Sequence, residues 1–196
     1  MKITGVAMML TVLGSGAWAG TNPTRKAPLV VCVGGIANNI YVVGQAEEIA
    51  SKIFVKIGVR VNWRGLNNCP RQGIRIELSE SAAASDRPGA LAYAYPFDGV
   101  HIVVFIDRVK SFVAPPRVSY LLGHVMAHEV SHIIQGVIRH SDSGVMKACW
   151  DEQDYRRMTR QGLDFAAEDI ALIQRALYAR TVFQSEKLTA AAASRP

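Results

Sequence analysis

The chain has 196 residues, 49% of them hydrophobic and 19% charged, with a net charge of +6. That length predicts one domain around a single core, and the composition excludes a disordered or low-complexity chain. The positive excess is dispersed among Arg and Lys with no aromatic-interleaved basic stripe, which argues for a solvated exterior and against a nucleic-acid partner.

Met1-Lys2 precedes an apolar run from Ile3 to Leu13 and a small-residue stretch, Gly14 to Gly20, that contains Ala17-Trp18-Ala19. A charged start, a short apolar core and an A-x-A site predict a secretory signal peptide over residues 1–19. The run is too short to span a bilayer, and no later segment offers 18 uninterrupted apolar residues. The mature protein is therefore expected to be secreted or periplasmic, with no stable membrane insertion. Cleavage removes Lys2 alone among the charges, taking the net charge from +6 to +5. Cys32, Cys69 and Cys149 remain; in an oxidising compartment they allow at most one disulfide, whose pairing stays open.

After a polar lead-in, Leu29 to Val33 reads as a buried strand ended by Gly34-Gly35. Ala46, Ile49, Ala50, Ile53, Phe54 and Ile57 fall at helical spacing before Gly58, predicting a helix from Gly44 to Ile57 that packs on a sheet. Val59 to Trp63 returns to strand register, Gly65 to Gly73 is a loop, and Ile74, Ile76 and Leu78 alternate with polar residues. Beyond the small-residue loop Ser79 to Gly89, Ala90 to Tyr95 and Val100 to Ile106 flank the turn Pro96-Phe97-Asp98-Gly99, an antiparallel hairpin. Pro115-Pro116 introduces a central helix ending at Gly136. Asp151 can cap a helix reaching Gly162, and Asp164 can cap another from Phe165 to Arg180, followed by a frayed tail over 185–196. The fold class this implies is α+β, a mixed twisted sheet with a backing helix and a central helix, in one domain over 20–184.

The central helix carries the chemistry. His128-Glu129-Val130-Ser131-His132 is an H-E-x-x-H pattern: residues four apart lie about 6 Å apart along the axis and some 40° apart around it, so two imidazoles can converge on one zinc ion. Glu129 flanks the same face, where a carboxylate can act as general base toward water. His124 lies about 12 Å from His132 along the axis, too far for the same tetrahedral ion, and reads as a satisfied supporting histidine. A third protein ligand is needed; a carboxylate of the later helices, Glu168 or Glu152, would make the site similar to that of the gluzincins. Trp150 and Tyr155 read as packing residues near the cleft.

The segment from His128 to Met146 resembles the metzincin clan of zinc endopeptidases. The resemblance implies His128, His132 and His140 as zinc ligands, Glu129 as the base, Gly136 as the turn and Met146 as the methionine of the turn beneath the metal. His140-Ser141 followed by Gly144-Val145-Met146 is most similar to the matrixin arrangement, but this chain has one extra residue on each side of Gly136. The clan also implies a zincin-like fold in which an edge strand binds substrate backbone, for which Ala90 to Tyr95 is the candidate. A secreted zinc- or peptide-binding module without turnover is the alternative of a different class, and a non-peptide hydrolase a weaker third.

Overall fold

The computed structural model describes residues 27–35, 40–82, 88–95 and 100–193. The expected signal peptide and the turn at 96–99 lie outside the described residues. Five strands form one mixed sheet, in the order β2-β1-β3-β5-β4. These are β1 (Leu29–Gly34), β2 (Val61–Gly65), β3 (Ile74–Ser79), β4 (Ala92–Tyr95) and β5 (His101–Phe105). β1 pairs in parallel with β2 and β3, and β3 pairs in parallel with β5. β4 runs antiparallel along the edge of β5, as the short connection predicts.

Parallel neighbours cannot be joined by a tight turn, so β1 and β2 need a crossover, and helix α1 (Ile40–Val55) supplies it. Its buried positions Ala46, Ala50, Ile53 and Phe54 are the stripe legible in the sequence. The helix starts one turn earlier than Gly44, because Val42 and Val43 extend the stripe onto the core. Gly58 ends this region at φ +75°, its N–H reaching the Val55 carbonyl at 3.0 Å. β2 begins two residues later than its apolar run. Val59 is buried, but its N–H bonds to the Phe54 carbonyl at 3.0 Å, which commits it to the helix end and not to the ladder.

A short helix, α2 (Ile106–Phe112), follows β5 where the sequence reading ended the strand at Ile106. Ile106 and Val109, three apart, are both buried, so a residue assigned to a strand opens a helical face. A 3-10 turn at Pro115–Arg117 then leads into α3 (Val118–Gln135), in which every residue but Tyr120 and Gln135 is buried. α3 lies beside α1 and runs against β3, β5 and β4, which makes it the inner helix of the molecule. Gly123 lets the helices approach this closely: a Cβ there would come within 2.8 Å of the Ala46 carbonyl oxygen and of Ile49.

α4 (Glu152–Arg160) is capped by Asp151, whose carboxylate accepts from the Gln153 and Asp154 N–H groups, with Asp154 answering to the Asp151 N–H. α5 (Ala167–Ala193) starts later than expected and runs further. Asp164 does not serve as its cap but meets Lys56 Nζ at 2.7 Å. The helix continues beyond Arg180 because residues 181–193 contain no Gly or Pro and end in alanines, the best helix formers, so the stretch expected to fray is helical to Ala193.

The disulfide joins Cys32 to Cys69, tying β1 to the loop after β2, and leaves Cys149 exposed and free. Its closure spans 37 residues. Constraining an unfolded loop of that length contributes about 3 to 4 kcal/mol, so the Cys32→Ala/Cys69→Ala protein is expected to lose about that much stability. Urea unfolding beside the oxidised parent measures it.

Candidate metal centre

α3 turns His128 and His132 toward the same side, one helical turn apart. Gly136 ends the helix at φ +67°, its N–H bonded to the His132 carbonyl at 2.9 Å, and sends the chain back toward the helix. Residues 137–140 deliver His140, and the Ser141 N–H then donates to the Met146 carbonyl at 2.8 Å. One ring nitrogen from each of His128, His132 and His140 lies within 4.8 Å of the other two. Met146 is fully buried in the turn that follows. Gly144, at φ +77°, is obligatory in that turn, since a Cβ would run into the Asp164 carbonyl oxygen.

Hydrogen bonds fix the tautomers of the first two rings. His128 donates from Nδ1 to the Val145 carbonyl at 2.8 Å, and His132 from Nδ1 to the Val137 carbonyl at 2.9 Å. Both Nε2 atoms are thereby left as lone pairs, and they face each other at 3.0 Å. Lone pairs that close repel, and a cation between them turns the repulsion into coordination. Tetrahedral zinc with bonds near 2.1 Å would hold the nitrogens about 3.4 Å apart, a small adjustment from what is found. Burial, reinforced by the neighbouring His132 and His140, brings the His128 pKa down to about 3. His132 and His140 are lowered too, chiefly by burial. All three are neutral near pH 7, the form a metal requires. The donor set fits zinc.

The carboxylate candidates lie elsewhere. Glu168 pairs with Arg139 at 2.7 Å, and Glu152 is exposed on the first turn of α4. Neither joins the histidine cluster among the described residues.

Glu129 sits beside the cluster, 9% exposed, and burial pushes its carboxyl up to about 8. The Ala94 backbone N–H interacts with that carboxyl and opposes the shift. The strand register explains why this group is available. The Phe105 N–H donates to the Leu91 carbonyl, so Leu91, Tyr93 and Tyr95 turn their backbone groups toward β5. Ala92 and Ala94 therefore aim theirs at the open edge. β4 is two residues shorter than the strand expected from Ala90, but it is the edge strand.

His124 stands apart from the cluster. It is fully buried, donates from Nδ1 to the Tyr120 carbonyl at 2.7 Å and accepts the Leu163 N–H on Nε2 at 3.0 Å, tying α3 to the segment before α5. Burial brings its pKa down to about 4 from an ordinary 6.5. A depressed histidine contributes stability that is complete above pH 6.5 and is lost as pH falls toward 4. In the metal-free protein this group alone is expected to remove about 3 kcal/mol of unfolding free energy over that interval. His124→Gln keeps an acceptor for the Leu163 N–H but cannot titrate, so its acid loss should be smaller by that amount in denaturant titrations at several pH values.

Trp150 donates its indole N–H to the Gly144 carbonyl at 3.1 Å and packs edge-on to His128, with ring centroids 5.6 Å apart. Tyr155 is half-buried against the core. The sequence reading missed Arg139, Asp169 and Arg180, and named Ser141 only as part of the His140-Ser141 pattern. Arg180 donates to the Ile133 carbonyl at 2.8 Å, supporting the end of α3. Asp169 follows Glu168 in an acidic pair at the start of α5, a pattern common on exposed helix faces. It lies four residues before the buried Ile173, and that spacing marks it as facing inward.

A mixed sheet with an antiparallel edge strand, laid over a buried helix that presents two histidines to a third behind a glycine turn, is a zincin-like fold. Among solved structures, the chain is similar to archaemetzincin from Methanopyrus kandleri, with a TM-score of 0.53 and 17% sequence identity, over 77% of this chain and 96% of that one. At that identity the likeness is one of fold. No protein-family model matches the chain. The comparison with curated proteins found no match either.

Proposed function

We propose that the protein is an exported zinc-dependent endopeptidase. The observation that carries this reading is the convergence of three neutral imidazoles, two with their tautomers fixed, beside the buried carboxyl of Glu129. The metzincin-like motif and the likeness to archaemetzincin support it. His128, His132 and His140 would hold the ion, and when bound zinc would supply a Lewis acid toward a peptide carbonyl and toward water. Glu129 takes a proton from the attacking water and returns it to the leaving amine. A cation nearby draws its pKa down from the value of the metal-free chain, so that the carboxylate form is available near neutral pH.

The open edge of β4 suits an extended peptide. The Ala92 backbone groups and the Ala94 carbonyl offer ladder bonds to an added strand, which would carry its scissile bond past Glu129. Recognition through backbone fits a broad preference for unfolded protein. The leader-like residues 1–19 support export, as does the Cys32–Cys69 disulfide, a bond favoured in oxidising compartments.

Purified protein is expected to contain one zinc per chain and to cleave denatured protein, with activity lost to a chelator and restored by zinc. Zinc-loaded protein that binds peptide and cleaves none across the neutral pH range would show a binding module instead.

A further inference from the structure

His140 reaches the cluster at the end of a segment, 137–140, that belongs to no helix or strand and is longer by one residue than the clan pattern it resembles. A ligand on a loose segment must be fixed each time it binds, at an entropic cost for every backbone residue ordered. Here both chain neighbours of His140 end on one carboxylate. Arg139 Nη1 donates to Asp169 Oδ1 at 2.6 Å, while Ser141 Oγ lies 2.9 and 2.7 Å from the two Asp169 oxygens and donates to that group. Arg139 Nη2 reaches Glu168 Oε2 at 2.7 Å and Ser141 Oγ at 3.4 Å. Asp169 is 0% exposed, and the guanidinium is the cation that compensates it.

We propose that Arg139 and Asp169 are positioning residues that set His140 in place before any metal arrives, so that the cradle is preorganised and not assembled by the ion. The Arg139 side chain leaves the loop on one side of His140 and Ser141 leaves it on the other, so α5 holds the ligand between two anchors. The backbone bond from Ser141 to Met146 closes the same segment without metal. A fully buried carboxylate with two donors aimed at it, one of them a cation 30% exposed, has few alternative arrangements, which gives His140 the fixed direction that α3 gives His128 and His132. The inference rests on the three histidines being the metal ligands.

Hydrogen exchange on the metal-free wild type tests it without any substitution. The Ser141 amide and the segment 137–146 are expected to be protected already, with little gain on adding zinc. A segment that exchanges freely and becomes protected only with zinc overturns the proposal. The second arm is Arg139→Gln/Asp169→Asn, which removes both charges together and leaves no lone buried ion. Zinc competition against a chromogenic chelator should show affinity lower by about 10- to 100-fold, the usual cost of losing an outer-sphere partner. The cobalt-substituted variant should lose intensity in its tetrahedral d–d bands, while thermal unfolding of the metal-free variant stays cooperative. A folded variant that binds zinc within twofold of wild type overturns the clamp alone. Wild type that takes up no stoichiometric zinc overturns the ligand reading and the clamp with it. Should the double variant not fold, the exchange experiment decides.

Discussion

Glu129→Gln is expected to lower peptide hydrolysis by about 10³-fold, within the span that general acid–base groups contribute, while zinc content stays at one per chain. Glutamine has the shape of the carboxyl and still offers an oxygen to the Ala94 N–H, but it cannot take a proton from water. Burial raises the Glu129 pKa to about 8 in the metal-free chain, so the neutral amide resembles the carboxyl as it stands there near pH 7. Little stability should be lost, and the fall in rate can be read as chemistry and not as unfolding. The measurement is kcat/KM on a fluorogenic peptide and on a denatured protein, beside the metal content of the same preparation. Activity within tenfold of wild type would remove Glu129 from the role of base.

His140→Ala should lose zinc, and Glu168→Ala should keep it. Removing one of three donors leaves His128 and His132 to hold an ion that prefers three protein ligands in a catalytic site, and affinity is expected to fall more than about 100-fold, beyond the loss for an outer partner. Glu168 ends on Arg139 with a side chain 70% exposed, and an exposed pair of that kind contributes little. Its removal should change zinc affinity by no more than a few-fold. Retention of zinc by His140→Ala with release by Glu168→Ala would exchange the two roles.

How much of this centre is legible in the sequence depends on how local each contact is. His128, Glu129 and His132 can be read together because helix geometry fixes their relation within five residues, and Gly136 because a left-handed cap suits glycine. His124 can be set aside from the metal by the same helical arithmetic. His140 came from resemblance alone, since the path of residues 137–140 depends on partners 30 residues away in α5. Distance in sequence also hid the Cys32–Cys69 pairing and the bond from Leu163 to His124. Errors in the fold have equally local causes. Ile106 serves a strand pattern and a helix pattern alike, Val59 is apolar but bonded to the end of α1, and Asp164 stands where a cap would but pairs with Lys56. The antiparallel pairing of β4 followed from its short hairpin connection and its edge position from the resemblance to the clan, whereas the outward aim of the Ala94 N–H required the register.

The nearly complete burial of α3 also bears on biosynthesis. A nascent chain that has reached Met146 already contains every histidine of the cluster. It still lacks Leu163, which meets His124, Asp169, which meets Arg139, and Arg180, which meets the end of α3. The proposed peptidase activity should therefore appear only once α5 has been synthesised and has docked, and an unfinished polypeptide would lack it.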